Sequence, residues 1–471
     1  MKRFLYLMLL VLLTAGMVAC GGTAEPTEAP AAEEPVEEPV EEPEEEPVEE
    51  PMEEEEPVVA DGESIYLMGA DGLLSDTFFQ NVGQTGVGMY FSGPLSPGGA
   101  AYQDLVSSYE EMFGESPIQA FHSHAYDATM MALTAIDQVA EEQDDGSLII
   151  DRQALIEAMY QMEHAGLTGN LICNEFGDCA APSIGIFRFE DASWAAADVI
   201  GNVVSSYEFQ TPDTGAGTIP DPPDGLELGE IVVAPGAPIE IATLQAISGA
   251  VANLGTDQVR AVEIAIEDYG EIGGHPAQLT MNEDDLCNAE GGQLGAQRIV
   301  ANTQVAAVIG TSCSGAAVPA SEVLSGAGYV MISGSNTSPR LTATGYFSEE
   351  GPTRGDAWSY GYFRTAHNDE FQGRAAAQFA AEELGLSTVA TINDGDPYTQ
   401  GLTSAMGASF EEFGGSVALA TAVGAEQEDM RPVLTEVAAS GAELVFFPIF
   451  EPAGNFIVLQ AEEVGFEVER P

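Results

Sequence analysis

Three hydroxyl side chains stand where this chain would put them to use. The run Val305 to Ile309 is apolar and strand-like, and it ends at Gly310; Thr311, Ser312, Cys313 and Ser314 then lead into small, helix-tolerant residues up to Leu324. That is the pattern of strand, loop and helix N-terminus. A helix start offers unpaired N–H groups and a positive dipole end to an anion, and Ser314 adds a hydroxyl where a carboxylate would sit. A plainer reading makes Ser314 only the cap of that helix. The next unit, Tyr329 to Thr342, again ends an apolar strand in a small polar loop and carries Ser335 and Thr337. Two neighbouring strand ends would thus bring three hydroxyls to one point, the crevice in which open α/β sheets bind ligands.

Other chemistries find little support. His122 and His124 form an H-x-H at the head of an amphipathic segment, with no carboxylate or cysteine partner at ligand spacing, so no metal is expected. No phosphate loop, dinucleotide fingerprint or G-x-S-x-G elbow is present, so neither a cofactor nor an enzyme is expected. The chain has 77 acidic residues against 12 Lys and Arg, a formal charge of −65. Nucleic acid is therefore disfavoured as a partner. Lys2 is the only lysine, and the acid-rich stretch near the start holds only a minority of the acidic residues.

The elements that must position these groups follow an address. Lys2 and Arg3, an apolar run from Phe4 to Leu13 and Met17-Val18-Ala19-Cys20 read as a bacterial lipoprotein signal over residues 1–20, with Cys20 lipidated. An ordinary secretory signal or an uncleaved anchor are the alternatives. Residues 21–63 collapse to Glu, Pro, Val and Ala, a solvated and extended tether without a core. Residues 64–209 carry folded elements, 210–230 read as a Pro/Gly/Asp/Thr-rich linker, and 231–471 alternate strands and helices from Ile239 onward. A strand is expected over Ala196 to Val204. The remaining cysteines, Cys173, Cys179, Cys287 and Cys313, suit an exported protein. Three pairings are open to them; Cys287 with Cys313 is favoured because both follow predicted strands, leaving Cys173 and Cys179 to close the loop CNEFGDC.

The pieces EDDLCNA at Glu283 to Ala289, GTSCSGAAVPAS at Gly310 to Ser321, ISGSNTSPRLT at Ile332 to Thr342 and YFRTAHNDEFQG at Tyr362 to Gly373 are specific. Through them, and SG at Ser248 and Gly249, the sequence resembles the leucine/isoleucine/valine-binding proteins of ABC importers, the branched-chain amino-acid branch of the type I periplasmic binding proteins. The pieces YLMGADGLLSDTF, SHAYDATMMALTAI and GLTGNLICNEFGDC resemble the last third of such a protein, yet here they come first. The resemblance implies an α/β fold of two doubly wound Rossmann-like lobes joined by hinge crossovers, circularly permuted; two truncated tandem domains or a gene-model error are the rival explanations. Lobe one would combine about Leu95 to Ser183 with Gly229 to Phe363, and lobe two Ser64 to Pro94, Ile184 to Phe209 and Arg364 to Pro471.

The same resemblance implies a ligand site. Ser314, Thr337 and the backbone at Ser335 would take an amino acid's carboxylate, and Asp71 on the other lobe its ammonium. Tyr398 would cover the ligand, and Phe450 and Phe121 would line its side-chain pocket, with Leu254 standing where some relatives carry an aromatic residue. The implied function is an extracytoplasmic binding lipoprotein that delivers an amino acid to an ABC permease. It would act as a monomer anchored by lipid in the cell envelope, on the outer face of the cytoplasmic membrane or in the periplasm. The alternative is a sensor of amides, urea or small aromatic acids that signals to a receptor.

Overall fold

Strands that are apolar on both faces need helices on both sides, and their parallel pairing needs crossovers. Val305–Gly310 is such a strand, buried at all of its residues. The computed structural model describes residues 64–180, 182–210, 218–226 and 228–468. The expected signal, the tether and Cys20 lie outside the described residues, as does part of the 210–230 linker.

Two sheets form two lobes. In the first, a 6-stranded sheet, the order is Glu271–Ile272, His275–Asp284, Ile239–Gln245, Val305–Gly310, Val330–Ser333 and Tyr362–Arg364. All its pairs are parallel except that of the short edge strand. In the second, an 8-stranded sheet, the order is Ser416–Ala422, Thr388–Asn393, Leu444–Phe446, Ser64–Ala70, Tyr90–Pro94, Ser183–Arg188 and Val203–Glu208, with Glu467–Val468 pairing beside Ser64 and Ile65. The strand Ser64–Ala70 runs parallel between Tyr90–Pro94 and Leu444–Phe446, with Tyr66 opposite Leu444. One sheet is therefore built from segments near both ends of the described chain, and the front and back sections share one core.

The chain passes between the two sheets near Leu95, Ser183 and Arg364. The third crossover is bolted to lobe one. Arg364 is fully buried and ends the strand Tyr362–Arg364, so it belongs to lobe one rather than opening lobe two. Its guanidinium donates to Asp178, to Thr342 Oγ1 and to the carbonyls of Asn336 and Ser338. Asp178 lies in the small loop closed by the Cys173–Cys179 disulfide. Gly177 in that loop has φ +93°, and a Cβ there would lie 2.2 Å from the Tyr362 carbonyl oxygen, so only glycine allows the approach. Just beyond, the helix Asp369–Gln378 also keeps to lobe one at its start: Asp369 N donates to Thr337 O (2.9 Å), and the Glu370 carboxylate accepts from Gly345 N and Tyr346 N (2.7 Å each).

One expectation needs correction. Ala196 to Val204 is not one strand: Ala196–Gly201 is a helix, and the strand runs over Val203–Glu208. Two carboxylates decide it, since Asp76 accepts from Ala196 N (2.7 Å) and Asp198 from Ala195 N (3.0 Å), satisfying N–H groups that a helix start leaves open. After the linker, Glu230–Val233 pairs antiparallel with Leu148–Asp151 in a small third sheet.

Candidate functional site

On lobe one the wall is a web of hydroxyls and helix ends. At the tip of Val305–Gly310, Gly310 has φ +143°, and a Cβ would meet Leu244 O at 2.0 Å, so the turn demands glycine. Ser312 then donates its Oγ to Gln245 Oε1 (2.6 Å), accepts there from Ala246 N (2.9 Å) and donates its N–H to Asp285 (2.7 Å). Asp285 is wholly buried, and burial pushes its carboxyl up to about 7. The Cys287–Cys313 disulfide closes the loop, and Cys287 N donates to the same Asp285 (2.7 Å). The helix Ser314–Gly326 starts at Ser314, whose Oγ accepts from Ser338 N (3.3 Å). Ser335 Oγ donates to Ser312 O and accepts from Gln258 Nε2, both at 2.9 Å, so that hydroxyl is engaged within the lobe.

On lobe two the wall carries charge. Asp71 follows the strand Ser64–Ala70 and is buried. Gln372 Nε2 (2.6 Å) and Tyr398 OH (3.1 Å) both donate to its Oδ1; Oδ2 takes neither. Burial raises this carboxyl to about 6 despite those donors. The Tyr398 and Phe450 rings lie 5.2 Å apart, and Phe450 covers Gly72, where a Cβ would be 2.8 Å from its ring. Behind Asp71 sits Asp369, fully buried, with the Thr337 hydroxyl as its side-chain neighbour. Burial first, and the charge of Asp71 second, push it well above the usual carboxylate range.

The walls meet around a cavity of about 20 Å³, bordered by Asp71, Tyr398 and Phe450 from lobe two and by Phe121, Ser314 and Ser335 from lobe one. That space holds a water or two. It shares Ala250, Val251, Phe450 and Glu451 with an open groove of about 610 Å³ at its mouth. Two contacts bridge the lobes beside it: Ser338 Oγ donates to Pro397 O (3.0 Å), and Asn253 Nδ2 to Thr77 Oγ1 (3.4 Å).

Six of the seven residues read from the sequence thus surround one space. Thr337 does not border it: it is buried behind the wall, its side chain against Asp369. Sequence reasoning missed Gln372, which orients Asp71, Asp369, and the polar lining residues Ser75, Gln119, Asn253 and Glu451. Gln372 stands in the quoted segment YFRTAHNDEFQG, a signal that could have found it. His122 and His124 face different neighbours. His122 bonds Gln119 O (2.9 Å), Asp257 (3.2 Å) and Tyr102 OH (3.1 Å), whereas burial holds His124 neutral, down to about 3. Among the described residues no three His, Cys, Asp or Glu side chains are placed to hold a metal.

A family model described as periplasmic binding protein matches residues 238–469. Over this stretch the chain is similar to that family. Its relatives include an amino acid binding protein of Pseudomonas aeruginosa, 32% identical over 221 residues, which are 46% of this chain and 55% of that protein. A leucine-, isoleucine-, valine-, threonine- and alanine-binding protein of the same organism is 29% identical over 231 residues, 49% of this chain and 58% of the relative. A leucine binding protein from Thermotoga maritima, of solved structure, aligns at 21% identity with a TM-score of 0.43, over 49% of this chain and 61% of that one. The chain therefore spans little more than half the length of the relatives it matches. Those relatives are named for binding, not for catalysis.

Proposed function

We propose that the protein captures a small amino acid, branched-chain or related, between its lobes and presents it to an ABC permease outside the cytoplasm, anchored through a lipid on Cys20. The observation that carries this reading is the facing of Asp71 on one lobe and Ser314 at a helix N-terminus on the other across a single closed cavity. A zwitterion needs that pairing, an acceptor for its ammonium and N–H and O–H donors for its carboxylate. The relatives' names point the same way. The cavity is too small for an amino acid as it stands, so capture requires the lobes to part and reclose, and closure is the state a permease would recognise. Thermal-shift and calorimetric titration with leucine, isoleucine, valine, alanine and threonine tests the reading. At least one should bind with a micromolar or tighter Kd, and failure of all amino acids to bind would remove it.

We further propose that residues 64–209 are the family fold's closing portion moved to the front, with residues 210–230 joining its former ends. The support is the strand Ser64–Ala70 seated parallel beside Leu444–Phe446, and a linear match confined to residues 238–469. A rearranged gene that runs from residue 231 to 468 and then, through a short linker, from 64 to 209 should fold and bind the same ligand. An insoluble or non-binding product would count against it.

A further inference from the structure

Glu451 adjoins Phe450 and borders both the closed cavity and the groove at its mouth. Its carboxylate is fixed by neutral donors only: Ser75 Oγ to Oε1 (2.6 Å), and Asn81 Nδ2 (3.2 Å) and Asn455 Nδ2 (2.9 Å) to Oε2. Among the described residues no Arg, Lys or His borders the closed cavity, although two carboxylates do, Asp71 and Glu451. The groove adds Asp394, Asp396 and Glu426; its one cation among the described residues, Arg340, is engaged bidentately by Asp356 at 2.7 and 3.0 Å. The lining of the closed cavity also includes polar Ser75, which donates to Glu451, and polar Gln119 and Asn253.

A branched aliphatic side chain would bury against these groups with nothing to offer them, and would strip water from a carboxylate that has no counter-ion. A side chain ending in a cation would supply the missing charge. Resting on the amino-acid reading above, we infer that the ligand is an α-amino acid whose side chain ends in a cationic nitrogen. Asp71 holds the α-ammonium, Ser314 faces the carboxylate, and Glu451 receives the distal cation where the cavity meets the groove. The aromatic and aliphatic residues Phe121, Leu254 and Phe450 cover the methylenes between. Glu451 is then the residue that sets specificity.

Calorimetric titration of the full chain with L-lysine, L-ornithine, L-norleucine and Nε-acetyl-L-lysine tests this. Norleucine keeps the linear carbon chain and lacks the distal amine; acetylation keeps the nitrogen and removes its charge. Lysine or ornithine should bind at least tenfold more tightly than both neutral analogues. In Glu451→Gln, with folding checked by circular dichroism, that ratio should fall to near one. Norleucine or leucine binding as tightly as lysine to the wild-type chain, a comparison that needs no variant, would overturn the distal-cation assignment and leave the amino-acid reading standing. A lysine preference that survives in folded Glu451→Gln would overturn the role given to Glu451. Silence from every amino acid would overturn both readings together.

Discussion

Where lobe one meets the cavity, its polar groups have mostly met their needs inside the lobe. Ser312 is held by Gln245, Ala246 and Asp285, Ser335 by Gln258 and Ser312, and the loop that carries Ser312 is tied by Cys287–Cys313. Where lobe two meets it, the carboxylates of Asp71 and Glu451 have neutral partners only among the described residues, and Asp369 is buried behind Asp71. A wall of satisfied dipoles keeps its shape whether or not a ligand is present. A wall of poorly solvated carboxylates carries a desolvation cost that a cation, or a proton at lower pH, removes. The contrast suggests a division of labour, with lobe one fixing position and lobe two selecting charge.

The largest test of that contrast is Asp71→Asn, which keeps the shape and removes the charge. Amino-acid affinity should fall at least a hundredfold, about 3 kcal/mol, while the melting temperature of the unliganded protein holds or rises. Calorimetry that finds affinity unchanged would move charge selection off lobe two. On the positioning side, the Cys287→Ser/Cys313→Ser pair opens a loop of 26 residues' separation and should cost about 3 kcal/mol of stability, read as a lower melting temperature and weaker binding together. Ser314→Ala should weaken binding about tenfold, as loss of a charge-assisted hydrogen bond does, and should weaken an amine lacking the carboxylate far less. Equal losses for both ligands would sever Ser314 from carboxylate recognition.

The smallest effect is a pH dependence with a defined sign. Asp71 in the unliganded fold sits at about 6, above its ordinary value of 3.8. The folded state therefore holds a proton that the unfolded chain releases between about pH 4 and 6, so this group favours folding as pH falls through that window. A ligand ammonium favours the ionised form, so affinity should run the other way: full above about pH 7 and about tenfold weaker at pH 5. Titration at both values checks it, and a flat profile would show that no cation meets Asp71. His124 and His367, pushed down to about 3 and about 4 by burial, oppose the stability trend, because the unfolded chain gains protons on them below about pH 6.5. Ligand affinity separates the two effects where melting temperature does not.

Much of this was readable from residue order. The apolar runs at Val305 and Tyr329 with small polar loops after them gave the crevice wall, because parallel strands with both faces covered leave a continuous apolar signal. What escaped was decided by distant partners. Ala196 to Gly201 is helical because Asp76, far away in the chain, meets its first N–H. Thr337 shares the loop signal of Ser335 but turns behind the wall, since nothing local fixes which side of a loop faces the cavity. Glu451 drew no notice because a lone glutamate beside a proline reads as a turn, and only the fold brings Ser75 and Asn81 to it.

The fastening at Arg364 also limits how the molecule can move. Its guanidinium, and the start of the following helix at Asp369 and Glu370, remain joined to loops of lobe one even though that helix packs in lobe two. Rotation that spares these bonds has its axis close to the helix's first turn. A spin-label pair set near that axis should then keep its separation on ligand release, while one across the rim from Asn253 to Thr77 widens.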